Sequence, residues 1–256
     1  MKPIVQIIAR AATEVLGRAG YSLIPNWRLQ NRGLALHLRD VFAHFGVDSV
    51  IDIGANDGGY ARFLRQEVGF NGIIHSFEPV SHLAEKCRQH AETDPMWHIH
   101  QIAIGENDGT SDINVMANPV YSSFLYPHDG ASETFNHGNV VEHRETVTVR
   151  KLSSVMPEIQ QESNFLRPYL KIDTQGFDLS VIRGAGSTLD TIPAMQTELS
   201  FRPIYQNMPD WTEVLSLLRG RHFDISNMFA VAVDSERRAL EFDCVLVNGR
   251  AAGAAL

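Results

Sequence analysis

The chain has 256 residues, 44% apolar and 20% charged, which suits one soluble α/β domain with insertions and is too short for two comfortable ones. A net charge of -8 argues against nonspecific binding to nucleic acid, whose affinity comes mainly from Lys and Arg neutralising phosphates. Cys87 and Cys244 lie far apart in segments patterned as helix and strand, so they read as buried apolar residues without a disulfide, in a reducing, cytoplasmic setting.

Ile4, Ile7, Ile8, Ala11, Ala12, Val15 and Leu16 recur at helical spacing. Arg10, Glu14 and Arg18 interrupt them, leaving neither a bilayer span nor the unbroken apolar middle of a signal peptide. Such a helix packs on the body of the protein or on a second copy in a homo-oligomer. The sharper reading lays it on the inner face of a membrane as a peripheral contact, which would suit a lipid-linked substrate. Residues 1–46 are accordingly expected to form an N-terminal helical extension, and 47–250 the main domain.

Residues 28–45 predict a helix with Leu34, Leu38, Val41, Phe42 and Phe45 on one side. A buried strand over 48–54, a glycine turn and a helix over 60–68 follow. Strands are expected at 72–77 and 97–104, with Pro79 opening the helix between them. Shorter strands fit 111–116 and 146–152. Residues 169–173 read as strand, 178–188 as helix, 194–200 as strand and 211–220 as helix. Strands at 222–227 and 242–248 close the chain without a helix between them. Alternating strands and helices imply a doubly wound, mostly parallel α/β sheet, and the last pair implies a terminal antiparallel hairpin.

In such a sheet, ligands sit beyond the carboxyl ends of the strands where strand order reverses. The first strand ends in Asp52-Ile53-Gly54-Ala55-Asn56-Asp57-Gly58-Gly59. A P-loop needs a Gly-Lys-Ser/Thr ending, and this turn has no Lys. A dinucleotide fingerprint needs a middle glycine where Asn56 stands, and Asp57 puts a negative charge where a phosphate would go. S-adenosylmethionine fits better, since it has no phosphate, carries a positive sulfonium and ends in an amino acid zwitterion. Asp52 is positioned to take its ammonium, Gly54 lets the backbone approach, and Glu78, at the end of the second strand, can accept from both ribose hydroxyls. Asn56, Pro79 and Ala103 complete the expected donor contacts, with Asp173 facing the methyl.

The stretches 50–64, 75–80, 170–186 and 197–205 carry "VIDIGANDGGYARFL", "HSFEPV", "LKIDTQGFDLSVIRGAG" and "TELSFRPIY". Together they resemble the FkbM family of S-adenosylmethionine-dependent methyltransferases, over about Val47 to Phe223. The resemblance implies a class I methyltransferase (Rossmann-like) fold and transfer to an oxygen, often on a sugar or a polyketide-derived product. Asp178 stands where the family commonly has Glu, and Ser153 where an Asp often follows the Leu.

An alcohol is a poor nucleophile when neutral, so O-methylation calls for a base or a metal. Asp173 and Glu198 end neighbouring strands, where they can act on the acceptor directly or hold Mg²⁺ against its hydroxyl. Histidine is the competing base. His128, His137 and His143 fall in a long polar stretch at 117–145 that reads as a substrate lid, and His137 and His143 are carried forward as catalytic candidates. Tyr121, Ser122, Ser123 and Phe124 are the lid residues expected to face the acceptor. Gln175 and Gly176 are expected to shape its floor, and Arg202 and Tyr205 to contact a sugar or carboxylate. The leading expectation is methylation of a hydroxyl on a sugar, glycan or glycosylated metabolite. Alternatives are a non-sugar small molecule methylated on O or N, and an inactive cofactor-binding module. A dehydrogenase is the reading left for a chain that binds a nicotinamide cofactor.

Overall fold

The computed structural model describes residues 29–129 and 138–250. The first helix, α1 (Leu29–Phe45), leads into β1 (Ser49–Ile53). Next come α2 (Gly59–Phe63), β2 (Ile73–Phe77), α3 (Ser81–Ala91), β3 (Trp97–His100) and β4 (Ala103–Ile104). β5 (Gly109–Met116), β6 (Val141–Arg150), α4 (Leu152–Ser163) and β7 (Pro168–Ile172) follow. The chain then runs through α5 (Asp178–Ala185), β8 (Ala194–Ser200), α6 (Trp211–Gly220), β9 (Phe223–Val233) and β10 (Ala239–Asn248).

Seven strands form one sheet in the order β3-β2-β1-β7-β8-β10-β9. β1, β2, β3, β7 and β8 are parallel, while β10 runs antiparallel between β8 and β9. This is the expected doubly wound sheet with its terminal hairpin. The order reverses between β1 and β7, so the carboxyl ends of these two strands open the ligand crevice.

Every residue of β1 and of β7 is buried, as befits central parallel strands covered on both faces. Their side chains alternate between two cores. Val50, Tyr169 and Val245 pack with Leu34, Leu38, Val41 and Phe42 of α1 and with Ala61 of α2. Ile51, Ile53, Leu170 and Ile172 pack on the other face against α4, α5 and α6. α1 thus packs on the body of the domain. The helix read over the first twenty residues, with its contact to a membrane or a second copy, lies outside the described residues.

Several elements depart from their expected bounds. The strand at 97–104 divides: Trp97–His100 extends the main sheet, and Ala103–Ile104 pairs with β6 in a second sheet of order β4-β6-β5. The helix expected to 188 stops at Ala185, because Gly186 takes φ 53° and a 3-10 turn follows to Thr191. α2 gives way to a π turn over Leu64–Val68 that ends at Gly69, φ 77°. α4 has no counterpart among the expected elements. The lid expected over 117–145 is shorter too, since Val141 onward is strand, held antiparallel to β5. Its remaining described part is pinned by bridges between Asn114 and Ser123 and between Pro127 and Tyr205. Among the described residues, no helix is long and apolar enough to cross a membrane.

Candidate functional site

The turn after β1 is built by two backbone contacts that few residue types allow. Gly54 has φ 81°, and a Cβ there would lie 1.8 Å from the Asp173 carbonyl oxygen, so only glycine lets the ends of β1 and β7 approach this closely. The N–H groups of Gly54 and Ala55 both donate to the Phe77 carbonyl, at 3.0 and 3.1 Å, tying the turn to β2. Asn56 follows in the left-handed region at φ 51°, where asparagine is tolerated better than most side chains. Its N–H donates to Glu78 Oε2 at 2.7 Å, and the Val80 N–H donates to Oε1 at 2.9 Å. Burial pushes the Glu78 carboxyl up to about 7 against the pull of these two bonds.

Beside this carboxylate opens a cleft with about 640 Å³ of empty space, its mouth included. Leu83, Ala103, Ile104, Ile113 and Phe124 give it an apolar wall, while Asn56, Glu78, Ser122, Asp173 and Gln175 supply polar groups. Such a lining, mostly apolar with a few placed polar atoms, is that of a small-molecule site. A second, more open cleft of about 830 Å³ lies against α1 and α2 and contains Asp57, Tyr60, Lys171, Gln196 and Asp243. Gly54, Asn56, Val120 and Asp173 line both clefts, so the two meet at the switch point.

Acidic groups dominate there. The Lys171 ammonium lies 3.3 Å from Asp52 Oδ1, 3.3 Å from Asp173 Oδ2 and 3.4 Å from the Gly54 carbonyl, and 5.0 Å from the centre of the Tyr60 ring. Burial works to discharge it, but Asp173 and Asp52 outweigh burial and hold it charged, its pKa raised. Asp173 Oδ1 and Glu198 Oε2 each accept from the Gln175 amide nitrogen, at 3.0 and 3.1 Å. Burial, then the charge of Asp173, raises the Glu198 carboxyl well above the usual range. Burial likewise lifts Glu241 to about 7 and Asp243 to about 6.

Of the residues read from the sequence, Gly54, Asn56, Glu78, Pro79, Ala103, Ser122, Asp173 and Gln175 line the first cleft. Ser123, Tyr121, Tyr205 and Glu198 line neither cleft. The Ser123 hydroxyl donates to the Gln175 carbonyl at 2.7 Å, and the Tyr205 hydroxyl lies within 2.9 Å of the Tyr121 carbonyl and 3.0 Å of Gln175 Oε1. Asp52 is displaced from its expected role. It is fully buried beneath the turn, accepts from the Ser76 hydroxyl at 3.1 Å and pairs with Lys171, leaving no surface for a ligand. Arg202 is exposed and lines neither cleft. His143 is removed from the chemistry by strand pairing: it sits exposed on β6 opposite Val115 and contacts Glu145 at 3.4 Å. His137 lies outside the described residues.

The Asp173–Glu198 pair does not suit Mg²⁺ as arranged, because the Gln175 amide nitrogen bridges both carboxylates and an N–H donor is no cation ligand. Among the described residues, no group of three or more His, Cys, Asp or Glu is placed to hold a metal. The sequence reading missed Tyr60, Lys171, Gln196 and Asp243. Lys171 was accessible to it, two residues before Asp173 on one strand and therefore on the same face. Asp243 was not, since it reaches the site only through the antiparallel register that sets it opposite Glu198.

A model of the methyltransferase FkbM domain matches residues 52–225. Among solved structures, the chain is similar to methyltransferase FkbM from Methylobacillus flagellatus KT at 14% identity and a TM-score of 0.48, covering 78% of this chain and 43% of that one. It thus spans less than half the length of that relative. Magnesium protoporphyrin IX methyltransferase from Synechocystis PCC 6803, with bound S-adenosylmethionine, aligns at 8% identity and a TM-score of 0.44, over 95% of this chain and 96% of that one. A human methyltransferase 10 domain containing protein aligns at 12% identity and 0.44, over 94% and 95%. No curated protein matches the chain.

Proposed function

Since the chain belongs to the FkbM family of methyltransferases, we propose that it is an S-adenosylmethionine-dependent O-methyltransferase whose acceptor is a hydroxyl of a sugar, glycan or glycosylated metabolite. The observation that carries this reading is the meeting of two clefts at Asp173, one with a fixed carboxylate at Glu78 and an apolar wall, the other polar and open. Glu78 binds the ribose hydroxyls through its remaining lone pairs, with Asn56 and Val80 holding it in place. Leu83, Ala103, Ile104 and Ile113 enclose the adenine. The acidic surroundings favour a cation over a phosphate-bearing cofactor.

When bound, the donor supplies a methyl group already activated by a positive sulfur. What is asked of the protein is alignment, exclusion of water and removal of the acceptor's proton. Asp173, half-exposed at the junction of the clefts and oriented by Gln175 and Lys171, accepts that proton from a hydroxyl arriving by the second cleft. Asp243 and Gln196, joined to each other at 2.9 Å, present polar atoms to the rest of a polyhydroxylated acceptor. Val120 and Ser122 close the approach from the side of the 117–129 segment.

Calorimetric titration with S-adenosylhomocysteine tests the donor half. Wild type is expected to bind, and Glu78→Ala to lose about tenfold to a hundredfold in affinity, the range for hydrogen bonds to a charged group. A folded wild type that binds nothing would overturn the methyltransferase reading. Labelled methyl transfer to a panel of sugars then tests the acceptor, and transfer only to non-sugar acceptors would overturn that half alone.

A further inference from the structure

Lys171 is the one cationic side chain lining either cleft among the described residues. Its side chain is 6% exposed, and its ammonium faces Asp52, Asp173 and the Gly54 carbonyl, so it touches the floor of the donor turn and the junction acid together. Asp57 is already answered by Arg62 at 3.1 Å. Among the described residues, Lys171 is the cation paired with both Asp52 and Asp173. Without it, two further negative charges would stand uncompensated next to Glu78, Glu198 and Asp243.

We propose that Lys171 is a specificity-determining residue that sets how strongly the site prefers the sulfonium donor over the neutral thioether product. The inference rests on the donor reading above. Positive charge leaves the sulfur during transfer, so a site that is too negative holds the charged ground state more tightly than the transition state and slows the reaction. One buried ammonium beside Asp173 trims that excess while holding Asp173 in place. It also evens the competition between fresh donor and spent product for the same cleft.

The test compares the Kd of S-adenosylmethionine with that of S-adenosylhomocysteine by calorimetry on the full chain. For Lys171→Met, the product-to-donor Kd ratio is expected to rise about tenfold, the order for one unit charge several ångströms away in a partly screened interior. Lys171→Arg is expected to bring the ratio back toward wild type. Asp52→Asn, which removes an acid that never meets the ligand, is expected to move the ratio the opposite way. A merely structural lysine would weaken both ligands alike and leave the ratio unchanged, and that result overturns the proposal. If Lys171→Met does not fold, an unchanged ratio in Asp52→Asn overturns it instead. Failure of wild type to bind either ligand would refute the donor reading itself, whereas normal binding with an unmoved ratio refutes only the role of Lys171.

Discussion

One residue, Gln175, joins more of the site than any catalytic candidate does. It sits at φ 53°, uncommon for a non-glycine residue, and each of its polar side-chain atoms is engaged. The amide nitrogen serves Asp173 and Glu198, Oε1 faces the Tyr205 hydroxyl, and its backbone carbonyl receives Ser123. Gln175→Ala would leave the Glu198 carboxyl, and the half-exposed Asp173 beside it, without their shared donor. Urea denaturation is expected to show a loss of roughly 1–3 kcal/mol, the desolvation cost of such groups. The sequence placed Gln175 near the acceptor floor because it follows the strand-end acid. Its linking role was hidden, since Glu198 and Tyr205 reach it from one distant segment and Ser123 from another. Asp52 was misread for the converse reason: a strand-end acid looks available until the neighbouring strands' Ser76 and Lys171 are known to occupy it.

At the scale of elements, the main sheet was legible because its parallel strands are short apolar runs broken by glycine and acid. The second sheet was legible in part: strands were expected at 111–116 and 146–152, but the first half of β6 reads as Val-Glu-His-Arg-Glu, which resembles a polar loop. α4 was missed through Pro157, which has no N–H for the Ser153 carbonyl, and through serines that favour caps over helix interiors. Its apolar Leu152, Val155, Met156 and Ile159 nevertheless all turn to the core. α1 offers a direct check of packing. Leu38 is fully buried and Leu36 on the same helix is 43% exposed. Leu38→Ala is expected to cost about 2–5 kcal/mol in urea denaturation, and Leu36→Ala less than about 0.5.

The whole molecule concentrates carboxyl groups that burial has pushed upward. Glu78 and Glu241 stand at about 7, Asp178 and Asp243 at about 6, and Glu198 is raised as well. Each is raised above its unfolded value, so each contributes stability that is full below the ordinary carboxyl range and is lost as pH climbs through the folded pKa. Thermal unfolding at constant ionic strength is therefore expected to give a Tm several degrees lower at pH 8 than at pH 5. A Tm that rises over this interval would mean that the neutral burial of His75, pushed down to about 3, outweighs these carboxyl groups. Part of the decline should vanish when S-adenosylmethionine is present, because a bound cation favours the ionised forms.

The small sheet of β4, β5 and β6 has a consequence for how such a protein diversifies. The strand pairs of the main sheet that carry the donor turn are all formed outside residues 117–129. That segment is stitched down near its start by Asn114 and Ser123 and across to the far rim by Pro127 and Tyr205. Changes of length or composition between those stitches redraw the outline of the cleft while the chassis beneath is left alone. Descendants of one ancestral sequence can thereby come to modify different molecules with the same machinery, each new preference written between fixed points of attachment.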